Sequence, residues 1–168
     1  MAVEMIGGPR FDMILRVGPV ADSGFVARRL GSTRLMLCAS PAYLEAYGRP
    51  SHPRDLKHHH AIIPGRLDEA AFTRWTFAKG NAREVVKVPV RVVLREGIGL
   101  GVTAVGGIGV VQMYDIAARP FIEDGSLEVV LEDWSPEPQP VFAVIPKSRT
   151  VPAKVRPFVE FARSLVSN

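Results

Sequence analysis

The sequence predicts an α/β fold, and three observations carry that expectation. Short apolar runs recur from Met13 to Ile145, most of them closed by glycine, proline or a polar turn. Segments with helix-start and helix-stop residues lie between them, as strands alternating with helices require. The chain has 168 residues, 47% hydrophobic and 23% charged, which is enough to bury a core without disulfide or metal staples.

Met13 to Val17 is a compact apolar run stopped by Gly18-Pro19, a buried strand feeding a turn. Phe25 to Leu30 is shorter and more polar, as near a sheet edge. Leu35 to Ala39 is apolar throughout and fits a strand covered on both faces. Ser40-Pro41 then starts a helix, with serine as N-cap and proline in the first turn. Tyr43, Leu44 and Tyr47 share one side of that helix, Gly48 closes it, and Pro50 prevents its resumption. Arg54 to Lys57 fits a short helical turn, and Ala61 to Ile63 a strand halted at Pro64-Gly65.

Arg74 to Ala78 and Glu84 to Val88 read as a hairpin turning at Lys79-Gly80-Asn81, and Val90 to Leu94 as a further strand. Gly97 to Gly107 fits a helix weakened by glycine, about 1 kcal/mol per glycine relative to alanine. Ile108 to Gln112 is expected as a strand, Tyr114 to Ala118 as a short helix ended by Pro120, and Leu127 to Leu131 as a strand. A proline-rich connection, Ser135 to Pro140, leads to a last strand at Val141 to Ile145. The C-terminal helix begins near Arg156. Its expected buried stripe is Phe158, Phe161, Ala162 and Leu165, at i, i+3, i+4 and i+7.

Composition narrows the function. The formal charge of +4 comes from scattered arginines, without the clustering or interleaved aromatics of a nucleic-acid surface. A single Cys38 excludes an internal disulfide and a multi-cysteine zinc site. No signal peptide or membrane-length apolar run is visible, so a reducing cytoplasm is the expected compartment. Cys38 sits among Leu35, Met36, Leu37 and Ala39, a setting that makes a thiol inert. His58-His59-His60 cannot all face one ion, and no second ligand cluster accompanies them. Asp22-Ser23 lacks a nucleophile elbow and a histidine to serve it. No catalytic residue, metal site or cofactor is therefore expected.

The glycine segment offers a rival. Gly99 to Ala104 matches a loose G-x-G-x-x-A pattern, which would suit an NAD(P)-linked oxidoreductase using Gly97 to Gly109. The glycines nevertheless start too far beyond the strand end to set the tight turn a pyrophosphate needs. Small-residue packing of a helix against a sheet explains them better.

Arg16-Val17-Gly18, Ala39-Ser40-Pro41-Ala42-Tyr43-Leu44, Asp55-Leu56 with nearby histidine, and Trp75-Thr76-Phe77 occur in an order and spacing that resemble one family. Gly107-Ile108-Gly109-Val110 and Lys154-Val155-Arg156 continue the pattern. The sequence is similar to the effector-binding domain of LysR-type transcriptional regulators. That resemblance implies a two-lobed fold of the type 2 periplasmic-binding-protein kind, with mixed sheets, joined by crossover strands. Residues 1–32 and 146–168 would form an incomplete first lobe, and 33–145 the second lobe with its crossovers. No helix-turn-helix precedes Asp12, so no DNA binding by this chain alone is expected.

Ligands of open α/β sheets settle beyond the carboxyl ends of strands. By resemblance, the segments lining the interlobe cleft are Arg16, Val17 and Gly18, then Ile63, Pro64, Gly65 and Arg66, then Gln112 and Met113. Gly65 would admit close approach of an anionic ligand, Arg66 or Arg16 would supply a charge-assisted bond, and Ile63 and Met113 an apolar wall. The expected function is sensing of a small-molecule effector, a carboxylate or aromatic acid, by a cytoplasmic homodimer with no membrane association. A module that only dimerises, without ligand, is the remaining alternative.

Overall fold

The computed structural model describes residues 11–20, 24–65, 70–94, 97–147 and 152–166. The chain divides into two compact units, Met1–Thr33 with Gln139–Asn168, and Arg34–Pro138.

In the first unit, β1 (Ile14–Val17), β10 (Gln139–Pro146) and β2 (Phe25–Thr33) form an antiparallel sheet in the order β1-β10-β2. The central strand β10 pairs Val144 with Ile14 on one side and with Ala27 on the other. Residues 139–145, expected as part of the crossover back from the second lobe, group with the first unit, because the backbone groups of β10 are satisfied by β1 and β2. The C-terminal helix α5 (Val155–Val166) closes one face, packing Val155, Val159 and Ala162 on Leu30, Val141 and Ala143.

The buried stripe of α5 also differs from the expectation. Phe158, Phe161 and Leu165 are exposed at 46%, 58% and 49%, whereas Val155 and Val159 are buried. Two apolar stripes lie side by side on this helix, sharing Ala162. Gly31 decides between them: a β-carbon there would come within 2.8 Å of Val166 Cγ1, so its absence lets the valine side seat on the sheet. Lys154 pairs with Asp12 at 2.5 Å near the other end of the helix.

The second unit is built on a five-stranded mixed sheet in the order β7-β4-β8-β3-β9. Its strands are β3 (Leu35–Ala39), β4 (Ala61–Pro64), β7 (Val90–Leu94), β8 (Val110–Tyr114) and β9 (Glu128–Val130). Strands β7, β4 and β8 are parallel, and β3 runs antiparallel to both β8 and β9. One face carries Leu37, Ala61, Ile63 and Val110 against helix α1 (Pro41–Tyr47), a 3-10 turn at Pro53–His58, and the hairpin β5 (Arg74–Lys79) with β6 (Ala82–Lys87). The other carries Cys38, Ile62, Val111 and Met113 against α3 (Gly97–Val105) and α4 (Asp115–Glu123). A single turn, α2 (Ala70–Thr73), precedes the hairpin. Both faces are covered, which explains why β3 and β4 read as continuous apolar runs.

Local signals act as the sequence implies at α1. The Ser40 hydroxyl accepts from the Tyr43 N–H, and Gly48 takes φ of +82° while its N–H donates to the Leu44 carbonyl. Several elements depart: β2 runs on to Thr33, β6 spans Ala82–Lys87 rather than Glu84 to Val88, and α2 is unexpected. β8 runs from Val110 to Tyr114, two residues later than expected, because Gly107 (φ +74°) ends the preceding turn and pairing begins where the Val110 N–H donates to the His60 carbonyl at 2.8 Å. Helix α4 passes through Pro120, which lacks one N–H. Burial of Ala118 and packing of Phe121 and Ile122 in the core hold the helix together beyond it.

Candidate functional site

Parallel strands aim their carboxyl ends at one edge of the second unit's sheet. There β4 ends at Pro64-Gly65, β7 is followed by α3, and β8 runs directly into α4. Gly65 adopts φ of +86°, a left-handed conformation that a side chain would strain, and its N–H donates to the Leu94 carbonyl at 2.9 Å. The Asp115 N–H donates to the Arg34 carbonyl at 2.9 Å, and the Arg34 guanidinium lies 3.9 Å from the Asp115 carboxylate. Backbone, helix starts and a cation therefore meet at one edge.

Alternation along β8 sorts its side chains. Val110 belongs to the core under the hairpin, and Val111 and Met113 to the core under α3 and α4. Gln112 and Tyr114 thus point to the hairpin side, both partly buried. Leu37 and Leu35 stand opposite them on β3. Neither Gln112 nor Tyr114 makes a side-chain hydrogen bond among the described residues, and their polar atoms remain open to solvent. Burial pushes the Tyr114 phenol above its ordinary pKa. The sequence reading missed Tyr114 by ending the strand at Gln112. Its signal was alternation: two polar residues spaced by two, with Met113 between them.

The remaining sequence-selected residues fall as follows. Arg16, Val17 and Gly18 belong to the first unit, where Val17 packs in the α5 core and buried Gly18 (φ +90°) donates its N–H to the Pro140 carbonyl at 2.9 Å. Ile63 and Met113 are 0% and 5% exposed and pack in the cores on opposite faces of the sheet. Pro64 and Gly65 are partly exposed at the edge just described. Arg66 lies outside the described residues, as do Asp22 and Ser23.

The rival chemistries find little support in the geometry. A β-carbon on Gly101 would meet the Phe121 ring at 2.5 Å, and one on Gly109 would meet the His60 carbonyl at 2.3 Å. Packing thus accounts for glycine at both positions. Cys38 is fully buried and its thiol is pushed up to about 12 by desolvation. His52 caps the 3-10 turn, accepting from the Arg54 N–H, while the Asp55 carboxylate accepts from the N–H groups of Ser51 and His52. No group of three potential metal ligands occurs among the described residues.

A family described as the LysR substrate binding domain matches residues 1–167. The chain belongs to that family. An HTH-type transcriptional regulator of Xanthomonas campestris pv. campestris (strain 8004) is 34% identical over 161 residues, covering 95% of this chain and 46% of that protein. Among solved structures, the regulatory domain of AphB in Vibrio vulnificus is 30% identical with a TM-score of 0.72, covering 92% of this chain and 75% of that one. CrgA, a LysR-type transcriptional regulator from Neisseria meningitidis, is 26% identical with a TM-score of 0.78, covering 94% of this chain and 53% of that one. The LysR substrate binding domain seen here spans about half the length of the curated relatives it matches. Its α/β architecture with mixed sheets is the one the resemblance implied, and its family is one of regulators rather than of enzymes. No helix among the described residues is long and apolar enough to cross a membrane.

Proposed function

We propose that this LysR substrate binding domain senses a small organic acid, a carboxylate or aromatic acid, on behalf of a cytoplasmic transcriptional regulator, without chemical turnover. The observation that carries the reading is the family match over residues 1–167. Gln112 and Tyr114, on the strand next to β4, support it, because partly buried hydrogen-bonding groups without side-chain partners among the described residues suit ligand recognition. In the proposal Gln112, Tyr114, Pro64, Gly65 and Arg66 contact the ligand within the second unit, Ile63 and Met113 belong to the core that carries them, and Arg16, Val17 and Gly18 are proposed as ligand-binding residues of the first unit. DNA is bound by another part of the regulator, not by this chain alone.

Thermal-shift titration with aromatic and aliphatic carboxylic acids tests the reading. A binding acid at about 100-fold its Kd adds about 2.7 kcal/mol of stability, a rise of several degrees. NMR of the same samples should show the acid unconsumed. A panel that produces no saturable shift, or a nicotinamide nucleotide reduced or oxidised in the presence of the protein, refutes it.

A homodimer forms part of the proposal. Phe158, Phe161 and Leu165 present a continuous exposed apolar stripe, with Leu15 of the same unit also 47% exposed, and such surface favours association. Sedimentation should show self-association that Phe158→Glu with Phe161→Glu abolishes at unchanged melting temperature. A monomeric native protein at tens of micromolar (roughly −6 kcal/mol of association free energy) refutes the homodimer.

A further inference from the structure

The outward face of the β5–β6 hairpin is a basic ribbon with an apolar centre. Trp75, Phe77 and Val86 turn inward and are buried, so Arg74 and Thr76, with Val85 and Lys87, turn outward and are exposed. The register sets Arg74 opposite Lys87, Thr76 opposite Val85, and Ala78 opposite Arg83. Arg74 and Lys87 are thus directly opposed like charges, an arrangement that destabilises a strand pair. Arg83 follows on the same face about 13 Å further along, at roughly 3.3 Å per residue.

None of these three cations has an ion-pair partner among the described residues. The acid within the hairpin, Glu84, is taken by Arg54 through two hydrogen bonds of 2.8 and 3.2 Å. Lys79 at the turn is taken by Asp133. Val85, at 63%, is the most exposed of the large apolar residues described. A β-branched residue flanked by cations has the layout of an interface centre with a charged rim, which fits a protein better than a phosphate backbone.

We infer that the outward face of this hairpin docks an acidic segment of a partner protein, with Val85 and Thr76 covered and Arg74, Arg83 and Lys87 pairing with its carboxylates. Unfavourable like-charge pairing in the free domain is relieved when the partner binds. The surface stands apart from the carboxyl-edge residues of the effector proposal and depends on none of them.

A fluorescein-labelled peptide of alternating glutamate and leucine, followed by anisotropy at physiological salt, is the probe. Random-sequence duplex DNA and phosphatidylserine vesicles are its comparators. Arg74→Glu with Lys87→Glu should weaken peptide binding by about tenfold or more, and Val85→Ser by about threefold, some 0.7 kcal/mol. Arg156→Glu with Arg163→Glu, the same charge change on α5, should leave binding within about twofold. Lys87→Glu alone creates an opposite-charge pair with Arg74 and should hold or raise the melting temperature, so its loss of binding is not unfolding. Absence of peptide binding, equal loss in the α5 variant, tighter binding to DNA or vesicles, or a lowered melting temperature for Lys87→Glu would each overturn the inference.

Discussion

Replacing Tyr43 by phenylalanine tests how the second unit anchors α1. The Tyr43 ring is 1% exposed, and its hydroxyl accepts from the His60 N–H at 2.9 Å and lies 3.3 Å from His59 Nδ1. With the backbone N–H donating to the phenol oxygen, the phenol proton is free to be donated to Nδ1. That requires neutral His59 with its own proton on Nε2. The His60 carbonyl accepts from the Val110 N–H at 2.8 Å, so this one residue couples α1 to the start of β8.

The substitution leaves shape almost intact and strands two partners. One is a partly buried backbone donor, the other an imidazole acceptor that is itself 4% exposed. An unsatisfied buried group costs about 1–3 kcal/mol. Since the imidazole can adjust its tautomer, the expected loss is about 2 kcal/mol, a fall of roughly 4–8 °C for a chain of this size. The assay is urea unfolding followed by tryptophan fluorescence, repeated across pH. Burial holds the His59 pKa below its ordinary value, with Asp55 opposing and His58 and His60 adding to the depression. The unfolded chain therefore binds a proton the native state resists, so native stability is full above about pH 6.5 and falls as pH drops below it. This slope should persist in Tyr43→Phe and disappear in His59→Gln. A Tyr43→Phe loss under about 0.5 kcal/mol, or stability rising as pH falls through 6.5, refutes the reasoning.

Gly109→Ala places a β-carbon against the His60 carbonyl, and rigid backbone cannot yield; destabilisation of about 3 kcal/mol or more by urea titration is expected. Cys38 should resist a thiol reagent in the native protein at pH 8 and react only on unfolding, because burial suppresses the thiolate. Gln112→Ala and Tyr114→Phe should weaken binding of any acid found by thermal shift by about fivefold or more, with melting temperature changed by under about 2 °C, since neither side chain has a hydrogen-bond partner to lose among the described residues. Unaltered affinity in both variants would remove them from the site while leaving the sensing function intact.

Much of the second unit was legible because its signals are local. Ser40-Pro41 and Gly48 bracket α1 as capping chemistry demands, and β3 and β7 have the boundaries that their apolar runs give. Tertiary contacts moved the rest. The two-residue delay of β8 comes from the Gly107 turn and from pairing that begins with the Val110 N–H on the His60 carbonyl, a contact across 50 positions that no local pattern encodes. Pro120 reads as a stop in isolation, yet Ala118 and Phe121 are drawn onto α3, where glycine at 101 makes room for the ring.

The same reason separates the visible from the hidden at the candidate site. Pro64-Gly65 announces a strand end by residue type alone, and the structure gives Gly65 the left-handed backbone that only glycine adopts easily. Gln112 was visible as a polar residue in an apolar run, but Tyr114 was not, because register decides which way it faces. On α5 the ambiguity lay in the sequence itself. Valines at 155, 159 and 166 and the group Phe158, Phe161 and Leu165 make equally periodic stripes, and burying either satisfies the hydrophobic pattern. The choice falls to Gly31, on a strand more than a hundred residues earlier, which admits Val166 and leaves the larger side chains outward. An apolar stripe displaced from the core by so close a fit is surface available for association, which is why the homodimer is proposed through this helix.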